Sequence, residues 1–222
     1  MSAVLTVNTG SGSLKAHLVG WRERHGLRRY GFHGLSYEWA LDRAAALLDR
    51  PAEGLSVLMA HLGGGCSVCA VRDGRSVDTS MGFTPLEGVP MSKRSGSVDP
   101  GLLGLSGGRS GDTRDLVAAA GEDGAAALAL GVFAHRVRRE LAAAATSLDR
   151  LDALVFTGEI GWDQPEVRAD VVAGLSLLGI PGDLVADPGG DGPVSPPDAD
   201  VPVLVVRPRE ELQLCRATLA AL

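Results

Sequence analysis

Residues 78–100 read DTSMGFTPLEGVPMSKRSGSVDP. A Gly-Phe-Thr-Pro turn, an acid at Glu87 and a tight Ser92-Lys93-Arg94-Ser95-Gly96 loop follow one another with no apolar period. Such a stretch adds little to a core, because it sets a cation and hydroxyls on backbone punctuated by Gly and Pro. A guanidinium on a short, stiff loop suits a planar, multiply charged oxyanion, which it meets in fork geometry. Taken alone, SKRSG is first a surface turn with a solvated arginine. The decision therefore falls to the flanking sequence.

Upstream, 55–61 reads as a buried strand, Gly63-Gly64-Gly65 as a glycine turn and 66–72 as a second strand. Asp73-Gly74 signals a type I′ turn, with 75–78 as the return strand. Three successive glycines permit either close backbone approach to a ligand or a tight reversal, and the sequence leaves both open. Before them, YGFHGLS (30–36) leads into a helix expected over 37–49, with Ser36 as N-cap and Pro51 as its stop. His33, between Phe32 and Gly34, is placed to hydrogen-bond an anion, although a lone turn histidine is more often structural. At the start, 4–7 alternates into NTGSGSLK (8–15) and then HLV (17–19), a strand, polar turn and strand. Its hydroxyls, backbone N–H groups and Lys15 can grip phosphate oxygens, and a purely decorative hairpin fits the same residues. No G-K-[ST] follows, so it is not a Walker loop.

Downstream, 102–109 is a Gly/Ser loop, and Asp112 opens a short helix ending near Ala120. A long helix is expected over about 124–148, its core stripe formed by Leu130, Phe133, Val137, Leu141, Ala144 and Leu148. Arg136, Arg138 and Arg139 fall off that stripe and read as a solvated face. An apolar strand at 151–157 runs into a glycine loop at 158–163 and a helix over 165–178, capped by Asp163 or Gln164 with Pro165 in its first turn. Strand, glycine loop and helix N-terminus recur at nucleotide phosphates, but the Glu159 carboxylate would repel one. After a Pro/Gly/Asp-rich stretch at 181–202 come a last strand (203–206) and a closing helix (210–222). This order predicts α/β or α+β with a mixed sheet.

A chain of 222 residues can bury one core, or one domain plus a fragment of another. With 45% apolar residues and a mean hydropathy of +0.13, it is expected to be a soluble globular protein rather than a disordered one. A net charge of −6 argues against nucleic acid as a partner. No run of about 18 apolar residues suggests a membrane span, and MSAVLTVNTG is unlike a signal peptide; a cytoplasmic location is expected. Cys66, Cys69 and Cys215 give no disulfide framework. The Cys66-Ser-Val-Cys69 spacing sits in a strand pattern that puts its thiols on opposite faces, as small core residues rather than a zinc or redox pair.

Together and in this order, VNTGSGSLK (7–15), RRYGFHGLS (28–36), HLGGGCSV (61–68), SVDTSMGFTPLEG (76–88), RSGSVDP (94–100), SGDTRDL (110–116), LVFTGEIG (154–161) and EEL (210–212) resemble the acetate kinase family of carboxylate kinases. The resemblance implies the ribonuclease H-like fold class of sugar kinases, heat-shock chaperones and actin, an α/β lobe with a mixed sheet flanked by helices. It also implies ATP- and Mg²⁺-dependent phosphoryl transfer to acetate or a related short carboxylate, giving an acyl phosphate. By motif match, Asn8, Ser11, Ser13 and Lys15 would line the phosphate hairpin, Asn8 also reaching the metal and the reaction. His33 and Arg94 would contact the transferring phosphoryl group, and His61, Gly63 and Gly65 would border the nucleotide phosphates. Asp112, Arg114, Ile160 and Gly161 would surround the adenosine, Glu210 would hold Mg²⁺, and a homodimer is the assembly implied.

The family is longer between the first hairpin and YGFHG. Residues 1–20 are accordingly expected to be a remnant of an N-terminal lobe, 21–207 the C-terminal lobe and 208–222 a closing helix. A second gap relative to the family falls after Pro100. Gly64 replaces the asparagine of HLGNG, and Ser97 the aspartate of RSGDIDP. Tyr37 replaces the second histidine of HGTSH, and Glu159, Trp162 and Asp163 alter the GGIGEN loop. Three alternatives stand beside an active kinase: a catalytically impaired nucleotide-binding remnant, a partner-binding protein of the same family whose exposed apolar face would favour association, and a folded product of gene decay with no ligand.

Overall fold

The structure, a computed structural model, describes residues 13–14, 29–30, 32–97, 110, 112–185 and 188–220. A short antiparallel pair, β1 (Ser13–Leu14) and β2 (Arg29–Tyr30), lies beside a six-stranded mixed sheet. That sheet holds β3 (Ser56–Leu62), β4 (Cys66–Arg72), β5 (Arg75–Thr79), β6 (Ala153–Thr157), β7 (Gly192–Pro193) and β8 (Val203–Val205), in the order β5-β4-β3-β6-β8-β7. β3, β4 and β5 form an antiparallel meander; β3, β6 and β8 run parallel; β7 closes the far edge antiparallel. Asp73 and Gly74 take φ of 51° and 72°, the left-handed pair a type I′ hairpin requires.

Side-chain alternation divides the interior in two. Leu58, Ala60, Val68, Ala70, Leu154 and Phe156 face α3 (Gly124–Ala145) and α5 (Pro165–Val172), packing with Val137, Leu141, Val167 and Val171. Val57, Met59, Val71, Ala153 and Val155 face α1 (Gly34–Leu47), packing with Trp39, Ala40, Leu41 and Ala44. Cys66 falls in the first core and Cys69 in the second, as the period-2 reading predicts, and burial pushes both thiols up to about 12. α2 (Thr113–Ala119) leans on α3, and α6 (Glu210–Ala220) lies against α1, where the Arg216 guanidinium sits 4.9 Å from the Trp39 ring centre.

Four expectations are corrected. α1 begins at Gly34, not 37, because His33 makes the turn into the helix and its carbonyl already accepts from Tyr37 N at 3.0 Å; Ser36 is an internal residue and not the cap. The 158–163 loop is a short helix, α4 (Gly158–Asp163), and the helix after Pro165 ends at Val172 with a 3₁₀ turn (Ser176–Leu178) beyond it. The 181–202 stretch supplies β7 and buries Val194, Ser195 and Val201, with Ser195 Oγ accepting from Val203 N at 3.0 Å. Arg136 is not solvated: its side chain is 13% exposed and pairs with Glu140 at 3.2 Å.

Candidate active site

The parallel strands finish on one edge, with His61 opposite Thr157 and Phe156 opposite Val205. Ligands of open α/β sheets bind beyond such carboxyl ends, where turns and helix starts converge. Here the glycine turn 63–65 follows β3, α4 follows β6, and the run into α6 follows β8.

The glycine turn reverses the chain, setting Leu62 opposite Cys66. It also makes room for a neighbouring ring: a Cβ on Gly65 would lie 2.9 Å from His33 Nε2. His33 stands in the left-handed region at φ 61°, a conformation that costs a non-glycine residue about 1–2 kcal/mol. Its ring is held from two sides. It stacks on His61 with centroids 4.0 Å apart and planes 17° from parallel, and its Nδ1 lies 2.9 Å from Ser67 Oγ. His61 Nδ1 lies 2.9 Å from Ser36 Oγ, and the Tyr37 hydroxyl donates to Ser67 O at 2.8 Å. Burial, then the Arg94 charge, lowers His33 to about 4; burial, then His33, drives His61 well below its ordinary value. Both rings are therefore neutral near pH 7.

Arg94 sits on an exposed loop closed by Met91 N donating to Arg94 O at 2.8 Å, and its Nη1 donates to Pro85 O at 3.1 Å. Ser92 Oγ donates to Gly64 O at 3.0 Å, which ties this loop to the glycine turn. The second group surrounds α4. Asp112 caps α2 through Arg114 N at 2.9 Å and pairs with the Arg114 guanidinium at 3.1 Å. That pairing, followed by the more distant charges of Asp163 and Glu159, raises Arg114. Gly161 is buried, Ile160 is half-buried against the α3 side of the sheet, and buried Arg168 donates to Gly161 O at 2.9 Å and Trp162 O at 2.8 Å.

The structure thus gathers His33, His61, Gly63, Gly65 and the Arg94 loop in one group, and Asp112, Arg114, Ile160 and Gly161 in another. Gly63 joins them, since a Cβ on it would lie 3.6 Å from Glu159 N. Glu210 opens α6, and burial followed by the charge of Glu211 raises its carboxyl. Ser13, expected in a polar turn, is in β1 opposite Tyr30; Asn8, Ser11 and Lys15 lie outside the described residues. Sequence reasoning missed the roles of Ser36, Tyr37, Ser67 and Thr157. A reversal centred on Gly64 pairs 61 with 67, and that count was the available signal for Ser67. The buried Thr157 hydroxyl, across from His61, finds no hydrogen-bond partner among the described residues.

A cleft of about 570 Å³ opens elsewhere, between α1 and the β4–β5 side of the sheet. Its charged lining is four acids, Glu38, Asp42, Glu53 and Asp73, and one base, Arg75, a balance that disfavours phosphate, and Tyr37 reaches it from the histidine site.

A sequence profile of the Acetokinase family matches residues 16–105 and 100–216. An acetate kinase from Synechococcus sp. is 45% identical over 89% of this chain and 55% of its own length. The crystal structure of an acetate kinase from Porphyromonas gingivalis superposes with a TM-score of 0.80 at 30% identity, covering 94% of this chain and 59% of that one. A propionate kinase from Francisella tularensis gives 0.74 at 32% identity, covering 91% and 58%. This chain therefore spans little more than half the length of these relatives.

Proposed function

The chain belongs to the acetokinase family, and from that premise we propose that it binds ATP with Mg²⁺ and serves phosphoryl transfer to acetate or a related short carboxylate. One observation carries the reading. The glycine turn and α4 follow the carboxyl ends of the parallel strands β3 and β6, with His33 against the turn and the Arg94 loop tied to it through Ser92. Phosphoryl transfer asks mainly for positioning and for neutralisation of charge in an in-line transition state. On this reading Arg94, exposed and tethered to the glycine turn through Ser92, meets the transferring oxygens. His33 meets them too, His61, Gly63 and Gly65 border the nucleotide phosphates, and Asp112, Arg114, Ile160 and Gly161 flank the nucleoside.

Among the described residues no group of three His, Cys, Asp or Glu side chains could hold a metal by itself. That suits Mg²⁺, which takes one or two carboxylates, waters and the nucleotide's own phosphates. On the family pattern Glu210, the first residue of α6, would supply the carboxylate. When bound, the ion would neutralise charge on the phosphate oxygens.

The test is titration calorimetry of the purified chain with ATP–Mg²⁺, with Asp112→Ala beside it. Saturable binding that weakens in the variant supports the reading, and acyl phosphate formation from acetate is then the next assay. No binding at millimolar ATP would sink it. A nucleotide-binding chain without turnover is the second reading, favoured by the Asp112–Arg114 pair being in place while Gly64 and Ser97 replace the asparagine and aspartate of the family's phosphate-side motifs. Binding without acyl phosphate would select that second reading.

A further inference from the structure

One arrangement of protons meets all the hydrogen bonds around Tyr37. Its hydroxyl donates to Ser67 O at 2.8 Å, and a carbonyl brings no hydrogen, so the single phenolic proton is committed there. Ser67 Oγ lies 2.7 Å from the same phenol oxygen, and that contact needs the hydrogen of Ser67. The backbone N–H of His61, 3.4 Å away, takes the remaining lone pair of the phenol. With its hydrogen turned to Tyr37, Ser67 Oγ can only accept from His33 Nδ1 at 2.9 Å. The neutral His33 ring then carries its proton on Nδ1 and leaves Nε2 bare. Nε2 is the atom that faces Gly65.

We propose that Tyr37, acting through Ser67, is a positioning residue that fixes the His33 tautomer and turns a hydrogen-bond acceptor, not a donor, toward the glycine turn. Burial supports the count, since it raises Tyr37 well above its ordinary value, keeping the phenol protonated, and lowers His33, keeping the ring neutral. The consequence for ligands rests on the reading of His33 as a phosphoryl contact. A bare Nε2 accepts and does not donate, so ionised phosphoryl oxygens are left to Arg94 and the backbone of the glycine turn, and His33 takes an oxygen that carries its own hydrogen, as in a monoprotonated phosphate. Replacing Tyr37 by Phe removes the acceptor of the Ser67 hydroxyl. That hydrogen is then free for His33 Nδ1, and the ring proton moves to Nε2.

The experiment is NMR of the full chain labelled with ¹⁵N in histidine, reading which ring nitrogen is protonated near pH 7. His33→Gln assigns the signals. The wild-type ring is expected to be protonated on Nδ1 and the Tyr37→Phe ring on Nε2. A wild-type ring protonated on Nε2 overturns the proposal with no variant needed, and so does a folded Tyr37→Phe chain that keeps the wild-type pattern. Should Tyr37→Phe not fold, Ser67→Ala replaces it and is expected to lose the fixed Nδ1–H; retention of that pattern is a refutation. The tautomer is read without nucleotide. If it is as stated and ATP–Mg²⁺ fails to bind, the functional reading falls and the proton assignment stands.

Discussion

Gly158 stands at φ 80°, and a Cβ on it would lie 2.5 Å from Leu62 O and 2.8 Å from Leu62 N. Both are backbone atoms of β3, so no rotamer change relieves the clash. Gly158→Ala is expected to lower the unfolding free energy by about 3 kcal/mol or more, read as a lower urea midpoint. An unchanged midpoint would refute this contact between α4 and β3. The stacked histidines predict a pH dependence. His33 titrates near 4 when folded against 6.5 when unfolded, so between those values the unfolded chain binds more protons and stability rises with pH. Stability near pH 7 is then lost as pH falls from about 6.5 toward 4, by roughly 3 kcal/mol for His33, with His61 acting in the same direction. Urea titrations across this range should show a flatter slope for His33→Gln, and an equal slope would contradict the assignment. Neither histidine announces this in the sequence. Each looks like a lone residue on its own segment, and only the packing of α1 on β3 stacks them.

At the level of elements, local signals were read well and tertiary ones poorly. Asp73-Gly74 and the Asp112 cap are decided by residues within a few positions, and both appear where the sequence put them. The start of α1 was misplaced because the Ser36 hydroxyl, a good N-cap, goes instead to His61. β7 was hidden because Gly192 and Pro193 have poor strand propensity; they are held by pairing with Val205 and Leu204. Arg136 breaks the expected solvated face of α3 because it lies against Glu140 in a largely covered position. The candidate site was legible as motifs, but not the bonds of Ser36 to His61 and of Tyr37 to Ser67 that fix its rings, since these cross from α1 to β3 and β4. A cap observed in the structure gives a further test. Asp123 Oδ1 accepts from Ala125 N at 2.9 Å and Ala126 N at 3.4 Å at the head of α3. Asp123→Ala should cost about 1 kcal/mol in chemical denaturation, and no change would show the cap to be idle.

In the molecule as a whole, two apolar cores share one set of strands. Trp39 belongs to the core under α1, and Trp162 packs against the core under α3 and α5. Because β3 and β6 contribute to both, variants that keep only Trp39 or only Trp162 should unfold at the same urea midpoint. Separated midpoints would mean that the faces unfold independently. The strand order has one more consequence. β3 pairs with β4 across a short turn, but its other neighbour, β6, begins only at Ala153, beyond α2 and α3. On the ribosome the β3–β4–β5 meander can therefore assemble early, while the open side of β3, rich in Val, Leu and Met, waits for a partner not yet synthesised. During that wait translation speed and chaperone capture, more than final stability, would govern how much of the chain reaches its native state.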